Sequence, residues 1–433
     1  MNIIKILIVA SVLVLGIFLR LYNYDIYPQR GATSDEYTYS FLGVSLFTKG
    51  VPISWSHFDY PNKKLISIDG IIFPIVSPYF DHPPLYGLLV GGWSILFGDD
   101  TFEEVDLKVI RIVPIILSAF SSFFVFLIGN KLYGFKTGIW ALLIYSTTAF
   151  FIMNSRVVVA ENLLTMLLLI STYILISAKK ITFRQLILLG ILSGFGLLTK
   201  VLGVIIYLAN ATFILLEKHK ARNLVIISII FSVFAIGFIA YGFYYDKEIF
   251  LAVQGSQSGR NIGPRTLWTY TLQAFIVNKI YLNGWYFFGL FSLFSLFSDV
   301  KKHKAIIIPS FLYFFLLLLS LSQEGHSGWY MIPLYPFMSL SIAYVVSESI
   351  KRINWIILIF VIYIGITNLQ YLYEAIFGLT PFVYRLSVLL FLAPFVYFYI
   401  FKKEFMFKFL GNFWFYVFII GNIILTRMYE HPV

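Results

Sequence analysis

Two adjacent carboxylates, Asp35 and Glu36, stand in GATSDEYTYS, residues 31–40, just after the first apolar run. Thr33-x-x-Glu36 has the spacing of a capping box, in which both side chains satisfy free N–H groups at a helix start. Tyr37, Phe41, Leu42 and Ser45 then recur at helical spacing and Gly50 ends the run, so a short amphipathic helix is expected. Asp35 is then either an acid favoured by the helix dipole or a base that takes a proton from a hydroxyl. The turn YFDHPPLYG, residues 79–87, adds Asp81 and His82 ahead of two prolines that stiffen it.

Four further clusters supply mostly cations. NSRVVVAENLL, residues 154–164, carries Arg156 and Glu161 between two apolar runs. Ionisable groups at that depth are costly unless they pair with each other or line a wet cavity. Lys200 in GLLTKVLG separates two more apolar runs and either snorkels to the surface or faces a polar pocket. Arg260 and Arg265 lie among glycines in residues 245–270, a composition that suits wrapping an anion as well as a solvated loop. His326, Trp329 and Tyr330 stand in SQEGHSGWYMIPLYP where another apolar run begins, a place that also suits interfacial aromatic anchors. Carboxylates beside several cations suit a substrate with a lipid tail and a phosphate head. The cations meet the phosphate and a carboxylate accepts a proton. Alternatively, Glu36, Asp81 and Glu161 with His82 or His326 have the chemistry to hold a divalent cation.

What must position these residues is a membrane bundle. Hydrophobic residues make up 59% of the 433, charged residues 12%, and mean hydropathy is +0.85; soluble domains run near ~45–50% apolar and ~25% charged. Apolar runs at about 3–20, 109–130, 138–154, 161–178, 185–199, 201–216, 224–244, 271–297, 305–322, 331–347, 354–372, 386–401 and 409–426 approach the ~20 residues a spanning helix needs. The expected fold class is all-α, a polytopic integral membrane protein of about 13 transmembrane helices. The alternating segments of an outer-membrane barrel are absent. The first run reads as a retained signal anchor. The chain has no cysteine, which excludes disulfides, thiolate chemistry and Cys-based zinc sites.

Charge asymmetry orients the bundle. With a cytoplasmic N-terminus, the inner connections hold 17 of the 32 Lys and Arg but only four of the 21 acids, so the inside carries +13 and the rest −2. That bias is the one cytoplasmic loops show, so the net +11 reads as membrane anchoring rather than nucleic-acid binding. Residues 83–98 are then a short interfacial helix, because counting them as a span would invert the basic loops. All six polar clusters fall on the outer side. Two regions result: a membrane module, 1–216, with an outer loop at 21–108, and a second transmembrane region, 217–433, with an outer loop at 245–270.

The ordered motifs resemble those of the GT-C glycosyltransferases that use lipid-phosphate sugars, in particular the protein O-mannosyltransferase and aminoarabinose transferase group. The D-E pair after the first span is matched by Asp35-Glu36, and the acidic turn before two prolines by Asp81, His82, Pro83 and Pro84. RIVPIILSAF from Arg111, GNKLYGFKTG, SRVVVAE ending at Glu161, LLTKV with Lys200, and the entry from Trp329 to Pro336 follow in order. His82 stands where the aminoarabinose enzymes have Lys, and Glu161 where Asp is usual. The lumenal carbohydrate-binding repeats of eukaryotic protein mannosyltransferases are not seen, so a protein acceptor is not specifically implied.

The resemblance implies an inverting transfer of a monosaccharide from a polyprenyl-phosphate donor to a hydroxyl of a glycan, lipid or protein acceptor on the extracytoplasmic side. Asp35 would be the base, with Glu36, Asp81 and Glu161 orienting it or the acceptor. His82, Arg156, Lys200, Arg260, Arg265, His326, Trp329 and Tyr330 would contact substrate. The competing reading is a transporter or flippase of lipid-linked sugars, whose sign would be polar residues near the bilayer midplane.

Overall fold

The structure is a computed structural model that describes residues 2–29, 33, 35–68, 71–217, 221–272, 284–323, 328–365, 378 and 380–428. His326 lies outside them. Helix α1 (Ile3–Leu21) is followed by a long connection that holds α2 (Asp35–Lys49), strands β1 (Ser54–Trp55), β2 (Lys63–Ile68) and β3 (Ile71–Val76), and α3 (Pro84–Leu96). The bundle continues with α4 (Ile112–Tyr133), α5 (Phe135–Thr147), α6 (Ala149–Asn154), α7 (Glu161–Ser177), α8 (Phe183–Thr199), α9 (Val204–Leu216) and α10 (Ala221–Ser258). It closes with α11 (Pro264–Leu272), α12 (Gly284–Ser295), α13 (Val300–Ser320), α14 (Tyr335–Arg352), α15 (Pro381–Ile400) and α16 (Glu404–Arg427). The chain is a helical, multi-pass membrane protein.

Helix accounts for most of the described residues of the expected spans; residues 273–283 of the span 271–297 and 366–372 of the span 354–372 lie outside the described residues. Among the described residues, seven helical runs are long and apolar enough to cross a bilayer: Ile3–Leu21, Leu107–Tyr133, Ala221–Ser258, Gly284–Ser320, Gly328–Arg352, Pro381–Ile400 and Glu404–Arg427. The helices α7, α8 and the run Val201–Leu216 are apolar but shorter. The expected span 138–154 is broken at Thr148, whose extended backbone divides α5 from α6. Three of the basic connections meet at one end of the bundle: Lys304 pairs with Glu217, and Tyr133 bonds His303 at 2.7 Å.

The long connection after α1 holds more order than its sequence announces. A three-stranded antiparallel sheet, ordered β1-β3-β2, pairs Lys63 with Val76 and Ile68 with Ile71. Among the described residues the sheet is confined to this connection, and the remaining elements are helical. Residues 83–98 form the expected short helix, with Pro83 at the cap and Pro84 at its first position, where a missing N–H costs nothing. Helices α2 and α3 touch backbone to backbone: a Cβ on Gly43 would strike the Gly87 carbonyl, and one on Gly91 the backbone of Gly43 and Val44. Gly87-x-x-x-Gly91 thus supplies the small-residue face that close helix crossing requires.

Two buried arginines pin this connection to the bundle. Arg111, ahead of α4, grips Glu36 with two parallel bonds of 2.8 and 2.9 Å and also donates to the carbonyls of Tyr24 and Pro28. Glu36 takes a further bond from the Val158 N–H at 3.2 Å. The expected capping box is therefore corrected: Glu36 turns into the core, and the Thr33 hydroxyl accepts from the Asp35 N–H at 3.1 Å. Arg156 donates to the carbonyls of Leu19, Tyr22 and Tyr27, the chain leaving α1. It forms neither the Arg156–Glu161 ion pair considered from sequence nor part of the cavity described below.

Both members of the Glu36–Arg111 pair are fully buried, and a buried charge left alone costs about 3–5 kcal/mol. Glu36→Ala is expected to lose stability on that scale, read as a lower melting temperature in detergent. Arg111→Met added to it is expected to recover part of the loss. An unchanged melting temperature for the single variant would show that the pair does not hold α2.

Candidate functional site

The sequence GLLTKVLG explains how a lysine reaches a cavity between two apolar helices. Gly196 and Gly203 abut so closely that a Cβ on Gly203 would overlap the Gly196 carbonyl. The chain therefore reverses tightly, and Lys200 takes an extended conformation between α8 and the short turn Val201–Gly203. Its ammonium donates to Glu161 Oε1 at 2.5 Å and lies 3.9 Å from the centre of the Tyr330 ring. Glu161 begins α7, is fully buried, and has no partner for its second oxygen among the described residues. Lys200 thus neither snorkels nor floats; it is a buried cation with one carboxylate and one aromatic face.

Lys200 opens onto a cavity of about 330 Å³. The acidic turn contributes Asp81, His82 and Pro83, and α10 with the residues after it contributes Gln254, Gln257, Ser258, Arg260 and Ile262. Val201, Leu202, Leu319, Leu321 and Tyr330 make the remaining walls largely apolar. The α10 segment comes as a surprise. The span expected to stop near residue 244 continues to Ser258 through a break at Asp246, whose backbone is extended and whose Oδ1 accepts from the Ile249 N–H. Asp246 so starts a second helical segment that folds over the acidic turn. Phe250 and Val253 pack with Tyr79 and Phe80, Gln254 donates to the Phe80 carbonyl at 3.1 Å, and Gln257 to the Asp81 carbonyl at 2.7 Å. Arg260 follows, half-buried, with no ion pair among the described residues.

The carboxylates experience this environment strongly. Asp81 accepts from Ser56 at 2.6 Å and from Tyr60 at 2.7 Å. Burial nevertheless pushes its carboxyl up to about 7, against those two hydrogen bonds; Asp35 adds to the rise and Arg260 opposes it. Asp35, in the first turn of α2, is raised to about 6 by burial. Lys200 and Arg260 restrain that rise, and Glu161 and Glu36 reinforce it. Asp35 does not line the cavity itself, yet it lies within electrostatic reach of both cavity cations. His82 stacks on Tyr39, with ring centres 4.8 Å apart. Burial first, then Lys200, Arg260 and His57, hold its imidazole well below the ordinary value. At neutral pH it is a hydrogen-bonding group rather than a cation.

Asp81, His82, Lys200, Arg260 and Tyr330 therefore come together, with Glu161 behind Lys200. Others do not join them. Glu36 belongs to Arg111, and Arg156 to backbone carbonyls. Arg265 is exposed on α11 and outside the lining. Trp329 stacks on Tyr330 without lining the cavity. Among the described residues, which do not include His326, no three His, Asp or Glu side chains are placed to share an ion. Ser56, Tyr60, Gln254 and Gln257 were not anticipated. The two glutamines stand three apart in LAVQGSQS, a spacing that shares a face only once the segment is known to be helical.

A family model for dolichyl-phosphate-mannose-protein mannosyltransferase matches residues 81–243, a stretch that starts at Asp81 and contains Glu161 and Lys200. The structure is similar to that of ArnT from Cupriavidus metallidurans bound to undecaprenyl phosphate, with a TM-score of 0.58 and 13% identity over 98% of this chain and 77% of that one. The apo form of the same protein gives 0.59 and 13% over 98% and 76%. The oligosaccharyltransferase AglB from Archaeoglobus fulgidus, in complex with an inhibitory peptide and a dolichol-phosphate, gives 0.53 and 13% over 100% and 57%. The chain has the GT-C glycosyltransferase fold. The resemblance read from the ordered motifs is thereby borne out. No curated protein matches the sequence. The matched family segment ends inside α10, just before the break at Asp246, so Gln254, Gln257 and Arg260 lie beyond it.

Tyr60 and Ser56 stabilise the ionised form of Asp81, so removing one donor must favour the protonated form. Tyr60→Phe is expected to move the Asp81 titration upward by about one pH unit, read from the carboxyl infrared band with Asp81→Asn as blank. A midpoint that stays put would show that the Tyr60 bond is not felt at Asp81.

Proposed function

We propose that the protein transfers a monosaccharide from a polyprenyl-phosphate donor to an acceptor hydroxyl, with inversion, on the extracytoplasmic side of the cell membrane. The observation that carries this reading is the pairing, in one cavity, of Lys200 and Arg260 with apolar walls at Val201, Leu202, Ile262 and Leu319. Two cations suit a phosphate, and Val201, Ile262 and Leu319 keep exposed apolar surface suited to the first units of a lipid tail. The side follows from the charge asymmetry of the sequence, which leaves the N-terminus in the cytoplasm. The lining comes from connections and helix ends, 81–83, 200–202 and 319–321, which favours chemistry at one rim over a path through the middle of the bundle.

In the proposed step, a lone pair on the acceptor oxygen attacks the anomeric carbon from the face opposite the phosphate. The bond from that carbon to the phosphate oxygen breaks, and its electron pair stays on the phosphate. Positive charge develops on the sugar ring while negative charge grows on the leaving oxygen. Lys200 and Arg260 stabilise that growing charge, and such fixed electrostatic help is often the largest catalytic term. The acceptor proton passes to the Asp35 carboxylate late in the step, once the attacking hydroxyl has become acidic. His82 donates a hydrogen bond without adding charge, Glu161 holds Lys200 in place, and Asp81 orients the acceptor.

Asp35→Asn is expected to lower the transfer rate by about 10²–10⁴ while lipid-phosphate binding survives; full activity in that variant would remove Asp35 from its role. A carboxyl raised to about 6 is protonated, and idle as a base, below that pH. The wild-type rate should therefore climb with pH up to about 6 and level off above it. Since Lys200 restrains the rise at Asp35, the residual activity of Lys200→Ala should show the same limb at higher pH. A limb at the same pH in both proteins would separate Asp35 from the titration.

A further inference from the structure

The helical segment beyond the break at Asp246 presents two neutral side chains to the Lys200 cavity, and what they hold sets their orientation. Gln254 and Gln257 each donate an amide N–H to a backbone carbonyl of the acidic turn, Phe80 at 3.1 Å and Asp81 at 2.7 Å. A carbonyl can only accept, so each amide turns its nitrogen to the turn and leaves its oxygen as an acceptor. Neither amide oxygen has a partner among the described residues, and both side chains line the cavity. Three residues advance a helix by about 4.5 Å, so the two acceptors follow one another along one wall at roughly the span of a sugar ring.

That wall is held at both ends. Phe250 lies in a notch at Gly242, where a Cβ would fall 2.3 Å from its ring. Its ring centre is 5.4 Å from those of Phe80 and Phe238. Beyond Arg260, the Gln323 N–H donates to the Asn261 carbonyl at 3.0 Å. The acceptors are therefore fixed relative to Arg260, which follows Gln257 by three residues. Polar groups held in this way discriminate, because a substrate that lacks the matching donor leaves them unpaired.

Charge decides which donors suit them. Lys200 and Arg260 share the lining and repel an ammonium group. The acids that could offset this repulsion are engaged or set back. Glu161 holds Lys200, the two oxygens of Asp81 accept from Ser56 and Tyr60, and Asp35 does not line the cavity. Sugar hydroxyls are neutral donors and meet an amide oxygen with no charge to compensate.

We infer that Gln254 and Gln257 are specificity-determining residues that accept hydrogen bonds from two hydroxyls of the transferred sugar, and that they select a neutral ring over an amino sugar. This role rests on the transferase reading above, to which it adds the residues that recognise the sugar.

The test uses the full chain in neutral detergent with farnesyl phosphate, and with farnesyl phosphate carrying mannose, glucose or an amino-pentose at the anomeric position. The readout is the affinity for each sugar-bearing ligand relative to farnesyl phosphate, so an effect on the phosphate alone cancels. In the wild type a neutral-sugar ligand is expected to bind about tenfold tighter than farnesyl phosphate, and the amino-pentose ligand to gain nothing. Gln254→Lys with Gln257→Lys keeps a donor to each carbonyl and removes both acceptors, so that advantage should vanish. Gln254→Glu keeps an acceptor and adds a charge, so the amino-pentose ligand should gain about tenfold. An advantage that survives the double Lys variant would overturn the proposal, as would a wild type that favours no neutral sugar or favours the amino-pentose. Equal loss in the double Lys variant and in Gln254→Glu, with a lower melting temperature in both, would reduce the glutamines to holding the turn and overturn it too. Farnesyl phosphate binding that Lys200→Ala leaves unchanged would instead remove the phosphate seat, which separates failure of the transferase reading from failure of the sugar contacts.

Discussion

A lysine ammonium 2.5 Å from a fully buried glutamate is the interaction on which the site depends. Removing two charges from water is expensive, and their mutual attraction repays it only when the remaining valences are also satisfied. Here they are not fully satisfied within the protein. Lys200 has one carboxylate and one aromatic face, and the second oxygen of Glu161 has no partner among the described residues. An ammonium in that state retains donors for an anion entering the cavity. The pair also ties the start of α7 to the end of α8 and to the segment carrying Tyr330, so three stretches distant in sequence hold one charge in place.

The scaffold around that charge is built from two kinds of close approach. Arginines gather the irregular chain after α1: Arg111 takes Glu36 and two carbonyls, and Arg156 takes three carbonyls. Glycines let helices meet by backbone, at the crossing of α2 with α3 and at the reversal around Lys200. Both devices serve the same end. They fix the connection bearing Asp35 and Asp81 against the bundle bearing Glu161 and Lys200, so that these carboxylates, Glu36, the buried Lys200 and the half-buried Arg260 act on one another. The outcome is a pair of acids, Asp35 and Asp81, poised near neutrality by burial and restrained by the cations they face.

Much of this architecture was legible in the sequence, because hydrophobic runs of helical length and short basic connections are dictated by the bilayer. The stiff turn at Asp81 and the lysine between α8 and α9 were legible as chemistry for the same reason: charges in apolar surroundings demand a partner or a cavity. What composition could not give was pairing. Glu36 has the spacing of a capping residue, and only the fold brings Arg111, 75 positions away, to claim it. Arg156 and Glu161 are near in sequence, yet the irregular turn between them sends one to the chain leaving α1 and the other to Lys200. The helix beyond Asp246 was missed because Asp246, Lys247 and Glu248 after an aromatic run read as the start of an outer loop, and with it went the helical placement of Gln254 and Gln257. The small sheet was missed because KKLISI and IIFPIV are too short and too mixed in polarity to stand out beside so many apolar helices.

The central claim is that Lys200 and Arg260 form the seat of a lipid phosphate. It is tested most directly by a map of the protein with undecaprenyl phosphate bound. The account predicts the phosphorus group in the cavity bounded by Asp81, Lys200 and Arg260, with phosphate oxygens at about 2.7–2.9 Å from both cationic side chains and the tail leaving past Val201 and Leu319. Phosphate seated away from Lys200, with the Lys200–Glu161 pair closed off and the cavity filled by side chains, would contradict it.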